Sequence, residues 1–211
     1  MGIIYEHHET RKDWLSARGG HLGASEASAI LGYGFISKID LWKIKTGRAK
    51  PKDLSDNEAV TYGNRVEEPL RQLFMAKHPE LMLTYRPFDF VYQEERPWLR
   101  ATLDGELLDE EGDHGILEIK TATLMSKADW QKWNGRVPDG YLCQLSHQFL
   151  ATGFRFAYLQ AELIGKTESV IRQYLFLRED MEDNMEYLLA EEEKFWRCVE
   201  TDTIPAAPLR I

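Results

Sequence analysis

The sequence predicts an α/β fold in which a central mixed β-sheet is flanked by helices. Three observations support this class: apolar residues recur at helical spacing over 56–77, strand-like runs follow over 81–121, and a helix–strand–strand–helix order closes the chain. The chain has 211 residues, which is enough for one domain with its own hydrophobic core. A single domain over 1–211 is therefore expected.

The predicted helices are defined by their caps and by their apolar periodicity. Ser37 can cap the third helix by accepting a backbone N–H, and Gly47 is suited to end it. In the longest helix Val66, Leu70, Leu73 and Phe74 form an apolar stripe, which Pro79 ends. The last helix has a similar stripe from Met185 to Trp196. The predicted helices are 10–18, 25–31, 38–46, 56–77, 138–151 and 179–199.

The predicted strands are short runs of β-branched, aromatic and leucine residues between turn signals. The dipeptide Arg86-Pro87 separates two of them, and one run leads up to Asp104-Gly105. A polar turn at 109–113 precedes an apolar strand that carries Glu118 and Lys120. The predicted strands are 81–85, 88–92, 98–103, 116–121, 156–163 and 169–176.

The charge is acidic overall, with a net value of −9, and it is unevenly distributed. Acidic residues concentrate at 109–113 and 178–202, whereas the first quarter of the chain is basic. Nucleic-acid affinity rests on Lys and Arg that neutralise phosphates, so the total predicts weak general affinity for DNA. A local basic face remains compatible with this total, because the local field matters more than the sum.

Neither membrane insertion nor a disulfide scaffold is expected. The N-terminus has no apolar run of signal-peptide length, and no stretch approaches the roughly 18 apolar residues of a membrane-spanning helix. Cys143 and Cys198 have neither CxxC nor zinc-type spacing, so they are expected to be reduced thiols. These features predict an intracellular, cytoplasmic protein.

The strand that carries Glu118 and Lys120 is the segment with the most chemistry. Side chains alternate along a strand, so these two point the same way and Ile119 points into the core. If the strand that ends at Asp104 pairs with it, two carboxylates and an ammonium converge. Two carboxylates and the Ile119 carbonyl suit Mg²⁺, which prefers oxygen ligands. Such a metal could activate water for attack on a phosphate, with Lys120 stabilising the developing negative charge.

An E-x-K triplet alone is a weak signal, because an edge-strand salt bridge has the same pattern. Glu192 and Lys194 have this spacing in a predicted helix and are expected to form a solvated face. The Asp-Gly turn upstream and the apolar strand make catalysis and a structural salt bridge about equally good interpretations of Glu118 and Lys120.

Further polar residues lie on predicted helices. Glu67 follows Gly63 in the longest helix and could pair with Arg71 or approach a metal. Tyr141 and Gln144 share one helical face, and taken alone this pattern favours ordinary helix surface over a functional role.

Other aromatic and histidine residues are expected to have structural roles. His147 is expected to form hydrogen bonds on a helix surface. Packing is the favoured role of Trp130 and Trp133, with stacking on nucleotide bases as the alternative.

In these segments the chain resembles the phage lambda exonuclease family, also described as YqaJ-type viral recombinases, within the PD-(D/E)XK nuclease superfamily. The resemblance covers about residues 14–163, and its five motifs occur in the family's order. They are Trp14 to Arg18 with Gly23 to Glu26, Tyr62-Gly63 to Glu67, Thr102 to Gly105, Leu117 to Lys120, and Tyr141 with Gln144.

The resemblance implies a PD-(D/E)XK core with Asp104, Glu118, Lys120, Gln144 and Tyr141 as catalytic residues. It implies a 5′-to-3′ exonuclease that degrades one strand of linear double-stranded DNA to mononucleotides. Two Mg²⁺ ions would be bound by the carboxylates of Asp104, Glu118 and Glu67 and by the Ile119 carbonyl. Mn²⁺ could substitute for Mg²⁺.

The same resemblance implies how DNA ends and partners are bound. Arg18, Ser25 and Thr102 match positions that engage the 5′-phosphate, a role that suits the planar arginine fork. A homotrimeric ring around the duplex and a single-strand annealing protein as partner are also implied. A ring remains on DNA by enclosure, so it needs fewer phosphate contacts than an open binder does.

The chain departs from the family pattern at two points, and two alternative functions remain open. Leu103 stands where the superfamily often has proline, and the adjacent Glu67 and Glu68 compete for the metal, with Glu67 favoured. The motifs fix hydrolysis and leave substrate geometry open, so a restriction, resolvase or repair endonuclease is one alternative. A non-catalytic DNA-end-binding protein is the other.

Overall fold

The computed structural model describes residues 2–206 and has an α/β architecture built on a five-stranded mixed sheet. The strands are β1 (Ile3–His7), β2 (Leu22–Gly23), β3 (Met82–Thr84), β4 (Asp89–Gln93), β5 (Leu99–Arg100), β6 (Gly105–Leu108), β7 (His114–Thr123), β8 (Phe156–Ile164) and β9 (Ser169–Leu177). The helices are α1 (Arg11–Ala17), α2 (Ala27–Ile30), α3 (Lys38–Lys45), α4 (Glu58–Lys77), α5 (Lys127–Gln131), α6 (Asp139–Thr152) and α7 (Glu182–Glu200).

The main sheet has the strand order β3-β6-β7-β8-β9. The central pair, β7 and β8, is parallel, and every other neighbouring pair is antiparallel. Helices α5 and α6 lie between β7 and β8 in the chain and provide the crossover that a parallel pair requires. The predicted mixed sheet with flanking helices is therefore confirmed.

Two short strand pairs lie outside the main sheet. Strand β1 pairs with β4 in antiparallel orientation, and β2 pairs with β5 in parallel orientation. The second pair sets Leu22 opposite Leu99 and Gly23 opposite Arg100. It therefore joins the segment after α1 to the segment that leads to Asp104.

Apolar side chains of the central strands alternate between two hydrophobic clusters. On one face Leu145 and Phe149 of α6 belong to the same buried cluster as Leu159 of β8. On the other face Leu70 and Phe74 of α4 cluster with Leu117 of β7. Burying each such side chain contributes on the order of 1.5–3 kcal/mol, so α4 and α6 are fixed against opposite faces of β7.

A third cluster joins α2, α3 and α7. It contains the buried side chains of Ile30, Leu41, Trp42 and Phe195. The Trp42 indole N–H also donates to the Cys198 carbonyl at 3.1 Å. Helix α3 is therefore held on α7 by both packing and a hydrogen bond.

The cap signals in the sequence correspond to the observed helix ends. The Ser37 hydroxyl accepts the Asp40 N–H at 3.1 Å, and Thr10 caps α1 in the same way. Gly47 follows α3 with a φ of 73°, a left-handed conformation that glycine adopts without a steric penalty.

Several predictions about local structure were wrong. The predicted strand 98–103 is reduced to the two residues of β5, and the strand that pairs with β7 begins at Gly105, after Asp104. Strand β1 and helix α5 were not predicted. Leu73 is 36% exposed because the buried side of α4 is restricted to the turns around Leu70 and Phe74.

A second correction concerns His147 and Glu192. Both were assigned to solvated helix faces, yet both side chains are 0% exposed and their Nδ1 and Oε1 atoms lie 2.7 Å apart. They face each other between the packed helices α6 and α7, so each provides the polar partner that the other needs.

Other expectations agree with the structure. Trp133 is buried in the core, and both cysteines are free. Across residues 2–206, none of the helices is sufficiently long and apolar to span a lipid bilayer.

Candidate active site

A cavity of about 430 Å³ contains most of the residues that the motifs indicated. It lies where β7, α4, α6 and the segment after α1 meet. Two groups of indicated residues line it. The first group is Glu67, Asp104, Glu118, Lys120 and Gln144, and the second is Arg18, Ser25 and Thr102. A larger cavity of about 610 Å³ contains none of these residues.

Asp104 is positioned by the end of a β-ladder. Strand β6 begins at Gly105, which is paired with Leu117, so Asp104 stands beside Glu118 just beyond the paired residues. The Asp104 carboxylate accepts the Ile119 N–H at 2.7 Å, in place of the next ladder bond. The aspartate is therefore aligned with β7 by a main-chain contact.

Glu118 is 2% exposed and is held by three side chains. Gln144 Nε2 donates to one carboxylate oxygen at 2.6 Å, and Gln148 Nε2 donates to the other at 2.5 Å. Lys120 forms an ion pair with the same carboxylate. These contacts restrict the carboxylate to one orientation, since both oxygens have donors.

The charges of the site are concentrated in a small volume. Burial raises the pKa of Asp104 well above its usual value, the charge of Glu118 raises it further, and Lys120 opposes both effects. Burial lowers the pKa of Lys120, but Glu118 and Asp104 together raise it above its ordinary value. Lys120 is therefore an ammonium at neutral pH, and two adjacent carboxylates share that single cation.

Glu67 approaches the site from α4 but is bound to Arg71. Arg71 Nη2 donates to Glu67 at 2.6 Å, and Arg71 Nε donates to the Asp104 carbonyl at 2.7 Å. Burial raises the pKa of Glu67, while Arg71 lowers it. Glu68 is exposed and interacts with Gln72, so Glu67 is the acid that lines the cavity.

Gly63 permits close approach of α4 to the catalytic strand. A Cβ atom at this position would lie 3.3 Å from the Thr121 hydroxyl oxygen of β7. This contact accounts for a glycine inside a long helix, where it is otherwise unfavourable.

Tyr141 stands beside Lys120 without lining the cavity. Lys120 Nζ lies 5.5 Å from the centre of the Tyr141 ring, within range of a cation–π interaction. Burial raises the pKa of the Tyr141 hydroxyl, which therefore stays protonated at neutral pH.

The second group of cavity residues offers donors for an anion. Arg18 Nη2 donates to the Ser25 hydroxyl at 3.0 Å, and the Arg18 guanidinium lies 5.0 Å from the Trp14 ring centre. Thr102 lines the same cavity. His21 is buried there, and burial together with nearby cations lowers its pKa to about 3, so its imidazole is neutral.

The acidic residues fit a magnesium ion better than a metal that needs a complete protein cage. Within residues 2–206, no three His, Cys, Asp or Glu side chains form a ready set of ligands. Mg²⁺ typically uses one or two carboxylates and completes its shell with water and substrate phosphates. Asp104 and Glu118 meet that requirement, and the crowding of their negative charges favours a bound cation.

Two residues that position the acids were not predicted from the sequence. Gln148 holds Glu118, and its place four residues after Gln144 on the same helical face was an available signal. Arg71 was considered only as a partner of Glu67, and its contact with the Asp104 carbonyl depends on tertiary structure alone.

The fold is PD-(D/E)XK-like and matches those of solved exonucleases. The alkaline exonuclease LHK-Exo from Laribacter hongkongensis superposes with a TM-score of 0.68 and 16% identity, covering 90% of this chain and 93% of that one. The same enzyme has been solved in complex with dAMP. A phage-related exonuclease from Haemophilus somnus 129PT matches with a TM-score of 0.53 and 13% identity, covering 86% of this chain and 96% of that one.

The chain belongs to the YqaJ-like viral recombinase domain family, whose model matches residues 13–155. The resemblance to this family, which was inferred from the motifs, is therefore confirmed. A protein of Bacillus subtilis (strain 168) named "Uncharacterized protein YqaJ" is 27% identical over 190 residues, covering 89% of this chain and 56% of that protein. The chain thus spans little more than half the length of this relative.

Proposed function

We propose that this protein is a Mg²⁺-dependent exonuclease that degrades one strand of linear double-stranded DNA from the 5′ end to mononucleotides. One observation carries the proposal: a single cavity holds both the acid–lysine centre and the Arg18–Ser25 pair. The first group suits phosphodiester hydrolysis, and the second suits recognition of a terminal phosphate. An alkaline exonuclease of the same fold has been solved with dAMP, which further supports the proposal.

In this proposal the carboxylates bind the metal, and Gln144 and Gln148 fix the carboxylate of Glu118. Asp104, Glu118 and the Ile119 carbonyl would bind Mg²⁺, with Glu67 near a second ion and Mn²⁺ as a possible substitute. When bound there, the metal supplies polarisation of the phosphate and a lowered pKa of a coordinated water. The hydrogen bonds from Gln144 and Gln148 keep Glu118 in place, so little reorganisation is needed during the reaction.

Lys120 contributes a fixed positive charge beside the acids. Its ammonium stays charged at neutral pH and already contacts Glu118. From this position it can orient the attacking water and stabilise the negative charge that develops on the phosphate. Tyr141 lies beside the ammonium and helps to fix its position.

The 5′ end would be bound by Arg18, Ser25 and Thr102. The Arg18 guanidinium offers several N–H donors in a planar fork that matches phosphate oxygens. The Ser25 and Thr102 hydroxyls can add two further donors. A terminal phosphate held there would place the adjacent phosphodiester near Asp104 and Glu118, since all these residues line one cavity.

Assembly and partnership form a further part of the proposal. A homotrimeric ring would keep an acidic protein of net charge −9 on DNA by enclosure. The products of such an exonuclease, single strands with 3′ ends, are substrates for a single-strand annealing protein in phage-type recombination. Native mass spectrometry tests the ring: trimers are expected, and monomers at micromolar concentration would contradict it.

A nuclease assay with matched variants tests the catalytic proposal. Purified protein is incubated with Mg²⁺ and either linear duplex or covalently closed circular DNA. The wild type is expected to degrade only the linear duplex, and Lys120→Ala is expected to abolish degradation. Lys194→Ala is the matched control, because Lys194 belongs to an identical Glu-x-Lys triplet and is exposed on α7.

The outcomes separate the competing functions. Cleavage of the closed circle would assign the same centre to an endonuclease. Tight binding to duplex ends without hydrolysis would assign the chain to a non-catalytic end-binding protein. Equal loss of activity in both lysine variants would remove the special role of Lys120.

A further inference from the structure

Arg18 and Ser25, two of the three residues proposed to bind the 5′-phosphate, stand on different segments, and one buried lysine connects those segments. Lys45 lies in the last turn of α3, and its side chain is 1% exposed. Its ammonium donates to the Arg18 carbonyl at 2.9 Å and to the His21 carbonyl at 2.6 Å. It also lies 2.7 Å from Glu26 Oε2. The three N–H donors of the ammonium are matched by three acceptors.

Glu26 extends this connection to the serine. Its Oε2 atom accepts the Gly23 N–H at 2.9 Å, so it ties both ends of the short segment 23–26, which contains Ser25. Lys45 and Glu26 therefore hold the main chain of Arg18 on one side and the loop of Ser25 on the other. The 3.0 Å contact between Arg18 and Ser25 joins the two segments that are attached in this way.

The lysine itself stands on a rigid support. Leu41 and Trp42 of α3 are buried in the cluster shared with α7, and Trp42 is hydrogen-bonded to the Cys198 carbonyl. The position of the ammonium is thus set by packing between helices. The contacts of Lys45 therefore connect α3 and α7 to the wall of the cavity.

Stability alone does not account for this arrangement. Burial lowers the pKa of Lys45, and the charge of Glu26 opposes that effect. Burying a lysine and a glutamate carries a desolvation cost that often equals or exceeds their mutual attraction, and apolar residues frequently serve as well. Unlike apolar residues, the Lys45–Glu26 pair makes directional contacts. These contacts fix three polar atoms at defined separations.

We propose that Lys45, together with Glu26, is a positioning residue that sets the spacing of Arg18 and Ser25 and thereby the preference for a 5′-phosphorylated DNA end. Lys45 acts through these residues and does not contact DNA. The inference rests on the proposed function, in which Arg18 and Ser25 receive the terminal phosphate.

A binding assay without metal tests the proposal independently of hydrolysis. Fluorescence anisotropy in EDTA gives the Kd of a hairpin duplex with one open end, carrying either a 5′-phosphate or a 5′-hydroxyl. The readout is the ratio of the two Kd values for each variant. Because both ligands are measured on one preparation, the ratio does not depend on the fraction of folded protein.

The wild type is expected to bind the phosphorylated end about tenfold more tightly, the effect of one charge-assisted contact. Lys45→Met is expected to bring the ratio within about twofold of one, since the phosphate then meets misplaced donors. Glu26→Gln keeps an acceptor for the ammonium and should retain most of the preference. Lys43→Met is the matched control on the same helix, and it should keep the wild-type ratio because Lys43 is exposed.

The results of the binding assay distinguish an error in the role of Lys45 from an error in the proposed phosphate site. An unchanged ratio in Lys45→Met would overturn the positioning role and leave the proposed exonuclease intact. A wild-type ratio of one would overturn both the phosphate assignment and the role of Lys45. Should Lys45→Met fail to fold, Glu26→Ala removes the link to Gly23 while leaving both carbonyl contacts of Lys45. An unchanged ratio in Glu26→Ala overturns the proposal as well.

Discussion

Replacing Glu192 with leucine is expected to cause a large loss of stability. Glu192 and His147 are both fully buried, and their side chains contact each other at 2.7 Å. The second imidazole nitrogen, Nε2, donates to the Arg100 carbonyl at 2.9 Å. Removing the carboxylate leaves His147 with one unsatisfied nitrogen in the core. Breaking a buried pair by removing one partner costs about 3–5 kcal/mol.

The structure places the expected cost of Glu192→Leu at the lower end of this range. Glu192 Oε2 has no hydrogen-bond partner among the described residues, and its removal offsets part of the loss. A cost of about 3 kcal/mol corresponds to a decrease in Tm of roughly 6–12 °C for a chain of this size. Urea unfolding followed by circular dichroism provides the free energy, and thermal unfolding provides Tm.

The neighbouring residue supplies the control for this prediction. Glu193 is exposed on the same helix, so Glu193→Leu should change the free energy of unfolding by no more than about 0.5 kcal/mol. A Glu192→Leu variant within about 1 kcal/mol of the wild type would show that the buried pair contributes little to stability and that the prediction is wrong.

Specific contacts of His147, Gly115 and Gln148 determine three further expected outcomes. Burial lowers the pKa of His147, but Glu192 raises it above its ordinary value; the stability that this pair contributes is therefore fully present below about pH 6.5 and is lost as pH rises through the folded-state pKa. Gly115→Ala should cost about 1–3 kcal/mol of unfolding free energy, because the added Cβ would lie 2.2 Å from a Phe156 ring carbon. Gln148→Leu should lower kcat about tenfold or more, because it frees Glu118. Tm should change little, because the variant also removes Gln148 Oε1, which has no hydrogen-bond partner within residues 2–206.

The difference in unfolding free energy between wild type and Glu192→Leu, measured from pH 5.5 to 9, should shrink with rising pH, and a constant difference contradicts the titration. Gly20→Ala is the control for Gly115→Ala, since its Cβ would meet nothing within 4 Å, and equal costs would contradict the packing argument. For Gln148→Leu, steady-state kinetics with unchanged kcat would show that Gln144 and Lys120 suffice to hold Glu118.

The fold class and the core of the site were predictable because they depend on local periodicity. Alternation along β7 placed Glu118 and Lys120 on one side, and the turn at Asp104-Gly105 indicated a third charge nearby. Asp104 precedes its strand instead of ending one, yet its carboxylate still accepts a hydrogen bond from the Ile119 N–H. The predicted pair of carboxylates is therefore present in the structure, although the predicted strand boundary was wrong.

The features that escaped prediction depend on contacts between distant segments. Glu192 belongs to an acidic run that is typical of a solvated helix face, and only the opposing His147 shows that it is buried. Lys45 is one of several lysines in a basic stretch, and its burial depends on carbonyls more than twenty residues earlier in the chain. Charge patterns along one segment do not encode such partners.

The direction of degradation distinguishes the proposed 5′-to-3′ exonuclease from other nucleases. A linear duplex labelled on one strand, either at the 5′ end or at the 3′ end, is incubated with the protein and Mg²⁺, and early products are resolved by size. For the proposed exonuclease we expect prompt release of the 5′ label as a mononucleotide and delayed release of the 3′ label, and with Lys120→Ala we expect release of neither label. Prompt release of the 3′ label, or release by Lys120→Ala at the wild-type rate, would contradict this proposal.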